Sequence, residues 1–215
     1  MNWLITGGCG FLGTALIKRL LKEKSSHNIR VIDNLSVGSR DDLVQVCDFD
    51  EKSPEILDDD FKGVELVVGD ILDESIALLA TKGIDVIVHF AANTGVGPSV
   101  EEPRFDCLTN VIGTFNYLDA ARLNNVPRFV FASSGAPAGE VEPPIHEELP
   151  PHPVSPYGAS KLAGEGYCSA YYKTFGVDTV ALRFGNVYGP GSIHKSSVVA
   201  KFIKKAFNRE TLEIF

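Results

Sequence analysis

Cysteine is scarce in this chain, four in 215 residues, and Cys9, Cys47, Cys107 and Cys168 are spread with no C-x-x-C spacing. That pattern excludes a zinc ribbon and a disulfide framework, and it fits a reducing cytoplasm. Positive charge is also in short supply: 20 Lys and Arg face 28 Asp and Glu, for a formal net charge of -8. The cations are scattered, so no stripe tracks a phosphate backbone, and nucleic acid is not an expected partner. No apolar run approaches the ~20 residues of a bilayer span. The opening MNWLITGGCG has no basic n-region and no small-residue cleavage site, so neither a membrane anchor nor an export signal is expected.

What remains is a chain 44% hydrophobic, enough to bury the core of one domain and a piece of another. Short apolar, β-branched runs recur at Trp3 to Thr6, Ile29 to Ile32, Val64 to Val68, Val86 to Phe90, Arg128 to Ala132 and Thr179 to Phe184. They read as buried strands. Amphipathic stretches lie between them, the clearest with Phe11, Leu12, Ala15, Leu16, Leu20 and Leu21 on one side and Lys18, Arg19 and Lys22 on the other. Strand and helix in alternation predict an α/β fold with a doubly wound parallel sheet, whose ligands gather at the carboxyl ends of the strands. Residues 40–62 are acidic and read as a solvated insertion; Asp58, Asp59 and Asp60 lack the alternation of ligands with a glycine turn that a cation loop needs. Residues 135–156 are proline-dense and form a loop, in which His146 and His152 have no fixed element to bring them to a metal. No metal is expected.

After the first strand comes TGGCGFLG, which places Gly7, Gly10 and Gly13 at the opening of the amphipathic helix. The first glycine permits a tight strand-to-helix turn, the second lets backbone amides approach a pyrophosphate, and the third allows close helix-to-strand packing. The helix N-terminus attracts the anion. Asp33 ends the second strand, twenty residues after Gly13, where a carboxylate accepts both ribose hydroxyls of a dinucleotide. This is the pattern of a Rossmann sheet. Asp33 also repels a 2′-phosphate, which favours NAD over NADP, with Arg40 the nearby cation that opposes this preference.

Tyr157 and Lys161 stand four residues apart in SPYGASK, on one face of a predicted helix. A free phenol titrates near pKa 10, and a cation within a few ångströms favours the phenolate and lowers that value. The strand at Arg128 runs out through Ser133 and Ser134, placing hydroxyls at the same sheet edge. Ser134, Tyr157 and Lys161 therefore converge as a candidate trio in which serine binds the substrate hydroxyl and tyrosine takes its proton.

With these residues the chain resembles the extended short-chain dehydrogenase/reductases, and among them the NAD-dependent epimerase/dehydratase enzymes of the UDP-glucose 4-epimerase type. The resemblance covers the whole chain. TGGCGFLG, DNLSVG at Asp33 to Gly38, GDI at Gly69 to Ile71, HFAA at His89 to Ala92, NVIGT at Asn110 to Thr114, SPYGASK and LRFGNVYGPG at Leu182 to Gly191 look like that family's landmarks in its order. It implies NAD as a cofactor that stays bound through each turnover. It also implies that Phe11 and Leu12 lie along the pyrophosphate, that Asp33, Asn34, Ser36 and Gly38 belong to the adenosine ribose site, and that Asp70 and Ile71 flank the adenine. Phe90, Ala91, Ala92, Thr94 and Asn110 line the cofactor's middle by the same similarity. Asn186 looks like the contact to the nucleotide-sugar phosphate, and Ser134, Tyr157 and Lys161 match the catalytic trio. The implied reaction is 4-epimerisation of a nucleotide sugar, by a homodimer paired through helices near residues 101 to 124 and 157 to 175.

Departures from the family pattern narrow the expectation. Members that dehydrate a sugar usually carry an acid directly after the strand-end Ser or Thr, and this chain has Gly135 and Ala136 there. A plain epimerase or another oxidoreductase of the fold is favoured, while a non-catalytic NAD-binding module has no need of the trio. Pro137-Ala138-Gly139 stands where many members have Val-Tyr-Gly, which reshapes the sugar pocket. The expected domains are an NAD-binding Rossmann domain at residues 1–190 and the start of a substrate lobe at 191–215. Most of that lobe is expected to be missing, because an apolar Ile214-Phe215 ending reads as a fragment's.

Overall fold

A computed structural model describes residues 1–23, 27–192 and 198–212. Seven parallel strands form one sheet in the order β3-β4-β2-β1-β5-β6-β7. They are β1 (Asn2–Thr6), β2 (Asn28–Asp33), β3 (Asp50–Glu51), β4 (Val64–Val68), β5 (Val86–His89), β6 (Arg128–Ser134) and β7 (Asp178–Phe184). The helices are α1 (Phe11–Glu23), α2 (Arg40–Val44), α3 (Glu74–Ala80), α4 (Val96–Glu101), α5 (Pro103–Cys107), α6 (Gly113–Leu123), α7 (Pro156–Phe175) and α8 (Val198–Phe207). This is the doubly wound α/β architecture that alternating strands and helices predict.

Residues alternate between the two faces of each strand, so each face of the sheet has its own core. Leu4, Ile32, Val67, Ile87, Phe129 and Phe131 pack beneath Tyr117, Leu118 and Tyr171 of α6 and α7. On the other face Ile5, Val31, Leu66 and Val88 pack against Ile17 and Leu20 of α1. The face of α1 is largely the expected one, with Leu20 buried, Leu16 and Leu21 packed against the same core, and Lys18, Arg19 and Lys22 exposed. Gly13, Ile17 and Leu20, at i, i+4 and i+7, are the buried residues, whereas Ala15 is exposed.

Register brings the strand ends level. Thr6 at the end of β1 pairs with Ile32 of β2 on one side and with His89 of β5 on the other. Ser134 at the end of β6 pairs with Phe184 of β7. The result is a shelf along the carboxyl edge of the sheet, where doubly wound folds hold ligands.

The acidic insertion is partly ordered into the sheet. Ser39 caps α2 by a reciprocal capping box with Asp42, and β3 adds to the edge through Asp50 against Glu65. Asp58, Asp59 and Asp60 are exposed. The proline-dense segment holds only a short 3-10 turn at Ala136–Ala138 before α7 begins. Among the described residues no helix is long and apolar enough to cross a membrane. Ile214 and Phe215, on which the reading of the chain's ending rests, lie outside the described residues.

Candidate active site

The turn after β1 is packed as tightly as bare backbone allows. A Cβ on Gly7, whose φ is +67°, would lie 2.7 Å from the Ala91 nitrogen, and one on Gly13 would lie 2.4 Å from the Gly8 Cα. Gly38 closes on the same loop, since its Cβ would meet the Cys9 carbonyl oxygen at 2.3 Å. The Gly10 amide donates to the Gly7 carbonyl at 3.1 Å, and α1 carries no acid in its first turn to neutralise the positive helix end. Asp33 takes the Cys9 amide on Oδ2 and the Leu35 amide on Oδ1, both at 2.9 Å. Burial pushes its carboxyl upward, and these two amides work against that shift. Glycine turn, helix end and fixed carboxylate together fit a dinucleotide's pyrophosphate and ribose.

The remaining sequence-predicted cofactor residues take different positions around this cradle. Asn34 donates to Asp70 at 3.2 Å and accepts the Ser36 amide at 3.1 Å, so these three residues form one edge beside Asp33. The Ile71 side chain is turned into the core, packed so closely on Gly113 that a Cβ there would sit 2.4 Å from it. Only its backbone can face a ligand. Ala91 donates its amide to Thr6 at 3.2 Å, and Phe90 and Ala92 flank it, half-buried, while Thr94 is exposed. Phe11 and Leu12 are half-buried in the first turn of α1. Gly189 and Gly191, in the segment after β7, lie against the Phe11 ring, and Asn186 in the same segment is exposed.

The start of α7 follows from its sequence. The Ser155 hydroxyl caps the helix by accepting the Gly158 amide at 3.1 Å, and Pro156 stands in the first turn. Tyr157 and Lys161 therefore fall one turn apart on the same face. The Ser134 hydroxyl hydrogen-bonds the Tyr157 phenol and accepts the Ala136 amide at 3.1 Å. Lys161 is buried, donates to the Ala132 carbonyl at 2.9 Å, and its Nζ stands 5.9 Å from the Tyr157 ring centroid.

The electrostatics differ from the expectation of a phenol lowered by its lysine. Burial raises the Tyr157 phenol, the Ser134 hydrogen bond opposes it, and Asp106 raises it further. The ammonium is turned to the Ala132 carbonyl, which is why it does less for the phenol than the spacing implies. Burial also pushes Lys161 down to about 8, against the pull of Asp106. His89, wholly buried beneath the shelf, is pushed down to about 3 by burial and then by Lys161, so it is a neutral core imidazole.

Of Asp106 and its hydrogen-bond partners Asn93 and Asn110, the sequence reading names only Asn110 as a site residue. Asn110 lies in a π-helical stretch, Leu108–Ile112, that joins α5 to α6, a distortion often found at functional sites. It turns Asn110 inward, where its Oδ1 accepts the Asn93 amide at 2.8 Å and its Nδ2 donates to Asp106 at 2.9 Å. The i, i+4 spacing of Asp106 and Asn110 was the available signal.

A profile of the NAD dependent epimerase/dehydratase family matches residues 3–215. The chain belongs to that family. It is 35% identical over 217 residues to a putative UDP-glucose 4-epimerase of Methanocaldococcus jannaschii, covering 99% of this chain and 65% of the relative. To a UDP-glucose 4-epimerase of Mycolicibacterium smegmatis it is 36% identical over 220 residues, covering 100% and 66%. The structure of Thermus thermophilus UDP-glucose 4-epimerase in complex with NAD superposes with a TM-score of 0.81 at 35% identity, covering 99% of this chain and 64% of that one. dTDP-glucose 4,6-dehydratases match as well. The family is NAD-dependent, and the chain spans 65 to 66% of the length of the two epimerase relatives.

Proposed function

We propose that the chain is the cofactor-binding part of an NAD-dependent nucleotide-sugar 4-epimerase, with residues 1–190 as the NAD domain and 191–215 as the start of the substrate lobe. The observation that carries this reading is the turn after Ser134. It is built of Gly135 and Ala136 and closes on buried Pro137 and Ala138, with no acid in the place where dehydratases of the family usually carry one. A site with a single proton-transferring residue suits reversible oxidation at one carbinol. Elimination of water needs a further donor.

Gly7, Gly10 and Gly13 with the α1 N-terminus would hold the pyrophosphate of NAD, and Asp33 its adenosine ribose. Bound NAD supplies a hydride acceptor that gives the hydride back. Tyr157 takes the proton of the sugar 4-hydroxyl and returns it, and Ser134 hydrogen-bonds the same oxygen and holds the phenol in place. Lys161 adds positive charge beneath the phenol, which favours its ionised form. Asn186, in the segment after β7, would meet the phosphate of a UDP-sugar. Supporting a cytoplasmic homodimer are the sparse, unpaired cysteines and the exposed Phe105, Leu108, Ile112 and Tyr167 along α5, the π-helical stretch and α7.

The full-length protein incubated separately with UDP-glucose, UDP-N-acetylglucosamine and UDP-glucuronate tests the proposal, with the 4-epimers resolved chromatographically. One substrate should be interconverted without NADH accumulating, and Tyr157→Phe should lower that rate by about 10²–10⁴-fold. Steady NADH formation would identify a net oxidoreductase of the same fold. NAD binding without turnover of any sugar would leave a binding module.

A further inference from the structure

Asp106 is fully buried in α5, and a buried carboxylate is costly unless something uses its charge. Its Oδ1 accepts from Asn110 at 2.9 Å and from Asn93 at 3.4 Å. Among the described residues its Oδ2 has no hydrogen-bond partner. Nor, among the described residues, is a cation bonded to it. A chain of contacts leads from it to the trio. Asn110 Nδ2 also meets the Ser160 hydroxyl at 3.1 Å, and Ser160 donates in turn to the Tyr157 carbonyl at 3.0 Å. Ser160 directly precedes Lys161, so the carboxylate braces the helical turn that carries both Tyr157 and Lys161.

We propose that Asp106 is a positioning residue for the Tyr157–Lys161 pair, a sealed carboxylate that braces the first turn of α7 through Asn110 and Ser160. It touches neither cleft nor solvent, so it transfers no proton to a substrate. Its field reaches both groups in the same sense, since a nearby negative charge makes each of them hold its proton to higher pH. Other charges around the pair are engaged elsewhere or neutral. Glu165 of α7 is paired with Arg183 of β7 and accepts from Ser133 of β6, Asp119 of α6 is paired with Arg122 and bonded to Tyr171, and His89 of β5 is neutral. From α4 and the π-helical stretch no titratable side chain is buried against Asp106, Glu101 of α4 being exposed.

The role of the trio in catalysis comes from the functional reading above, and the test separates the two. In full-length protein, the phenolate absorbance of Tyr157 is isolated as the difference between each protein and its Tyr157→Phe counterpart, and followed against pH. Asp106→Asn keeps the shape and an oxygen for Asn93 and Asn110. It should move the Tyr157 midpoint to a pH lower by about 1, and both limbs of the kcat profile should move to lower pH together. Asp106→Glu, which keeps the charge, should hold the midpoint near that of the parent protein. A midpoint that stays or rises in a folded Asp106→Asn protein overturns the proposal. So does failure of both Asp106→Asn and Asp106→Ser to fold, which would make the residue structural. An active Tyr157→Phe enzyme would sink the functional reading while leaving the titration result standing.

Discussion

Arg40 holds Glu51 by two hydrogen bonds, 2.7 Å from Nε to Oε2 and 2.8 Å from Nη2 to Oε1. The guanidinium fork that a 2′-phosphate would need is thus turned to the β3 edge, and Glu51 is lowered below the usual carboxylate range by it. With Asp33 at the end of β2 and Arg40 engaged by Glu51, NAD should be preferred over NADP. Because the pair is exposed, its hold is weak, and Glu51→Ala should tighten NADP binding only about two- to fivefold. Asp33→Ser combined with Glu51→Ala should gain more than the product of the two single changes, as read by calorimetric titration with each cofactor. Simple additivity would mean that Arg40 does not reach the phosphate.

Gly13→Ala tests the tightness of the turn. Its methyl would meet the Gly7 carbonyl oxygen at 2.5 Å and the Gly8 carbonyl oxygen at 2.6 Å, both backbone atoms that cannot rotate away. The change should cost about 3 kcal/mol or more, seen as a lower urea midpoint, and should abolish NAD binding. Gly166→Ala, in the interior of α7 with nothing within 4 Å of the added carbon, is the control and should hold or raise the urea midpoint.

The glycine turn, Asp33 and the Tyr157–Lys161 face were legible because each is a local device: a strand, a turn and a cap in a short stretch determine where those side chains go. Asn110 was named by resemblance, but its tie to Ser160 was not legible, because it depends on a contact across distant segments. Asn110 meets Ser160 fifty residues away, and Lys161 meets the Ala132 carbonyl across 29. The π-helical stretch also breaks the regular helical period on which face assignments rest. β3 escaped notice because two residues carry no alternation to detect.

Lys161 should lower the stability of the protein without cofactor at neutral pH. Its folded value of about 8 lies below the ordinary 10.5, so between those values the unfolded chain binds more protons and stability rises with pH. Lys161→Met removes this dependence. The variant's stability relative to the parent, from urea unfolding, should fall by about 3 kcal/mol between pH 7 and pH 11. A difference constant across that range would show that the ammonium is not penalised by burial.

The last prediction concerns Arg30 of β2, which is fully buried and ion-paired through Nε to Glu65 of β4. Its Nη1 donates to the carbonyls of Ala80 at 2.8 Å and Lys82 at 3.2 Å, its Nη2 to that of Asp58 at 2.7 Å, and the Phe61 ring stacks over it at 4.4 Å. One guanidinium therefore joins two strands, the end of α3 and the acidic insertion. Glu65→Leu strands a buried cation and should cost about 3–5 kcal/mol. Arg30→Met with Glu65→Leu removes the stranded charge and should recover part of that loss. Recovery should be incomplete, because three backbone carbonyls lose their donor and each buried unsatisfied group costs about 1–3 kcal/mol. A double variant as stable as the parent would mean that those carbonyls reach water, and that the insertion does not depend on Arg30 for its attachment to the sheet.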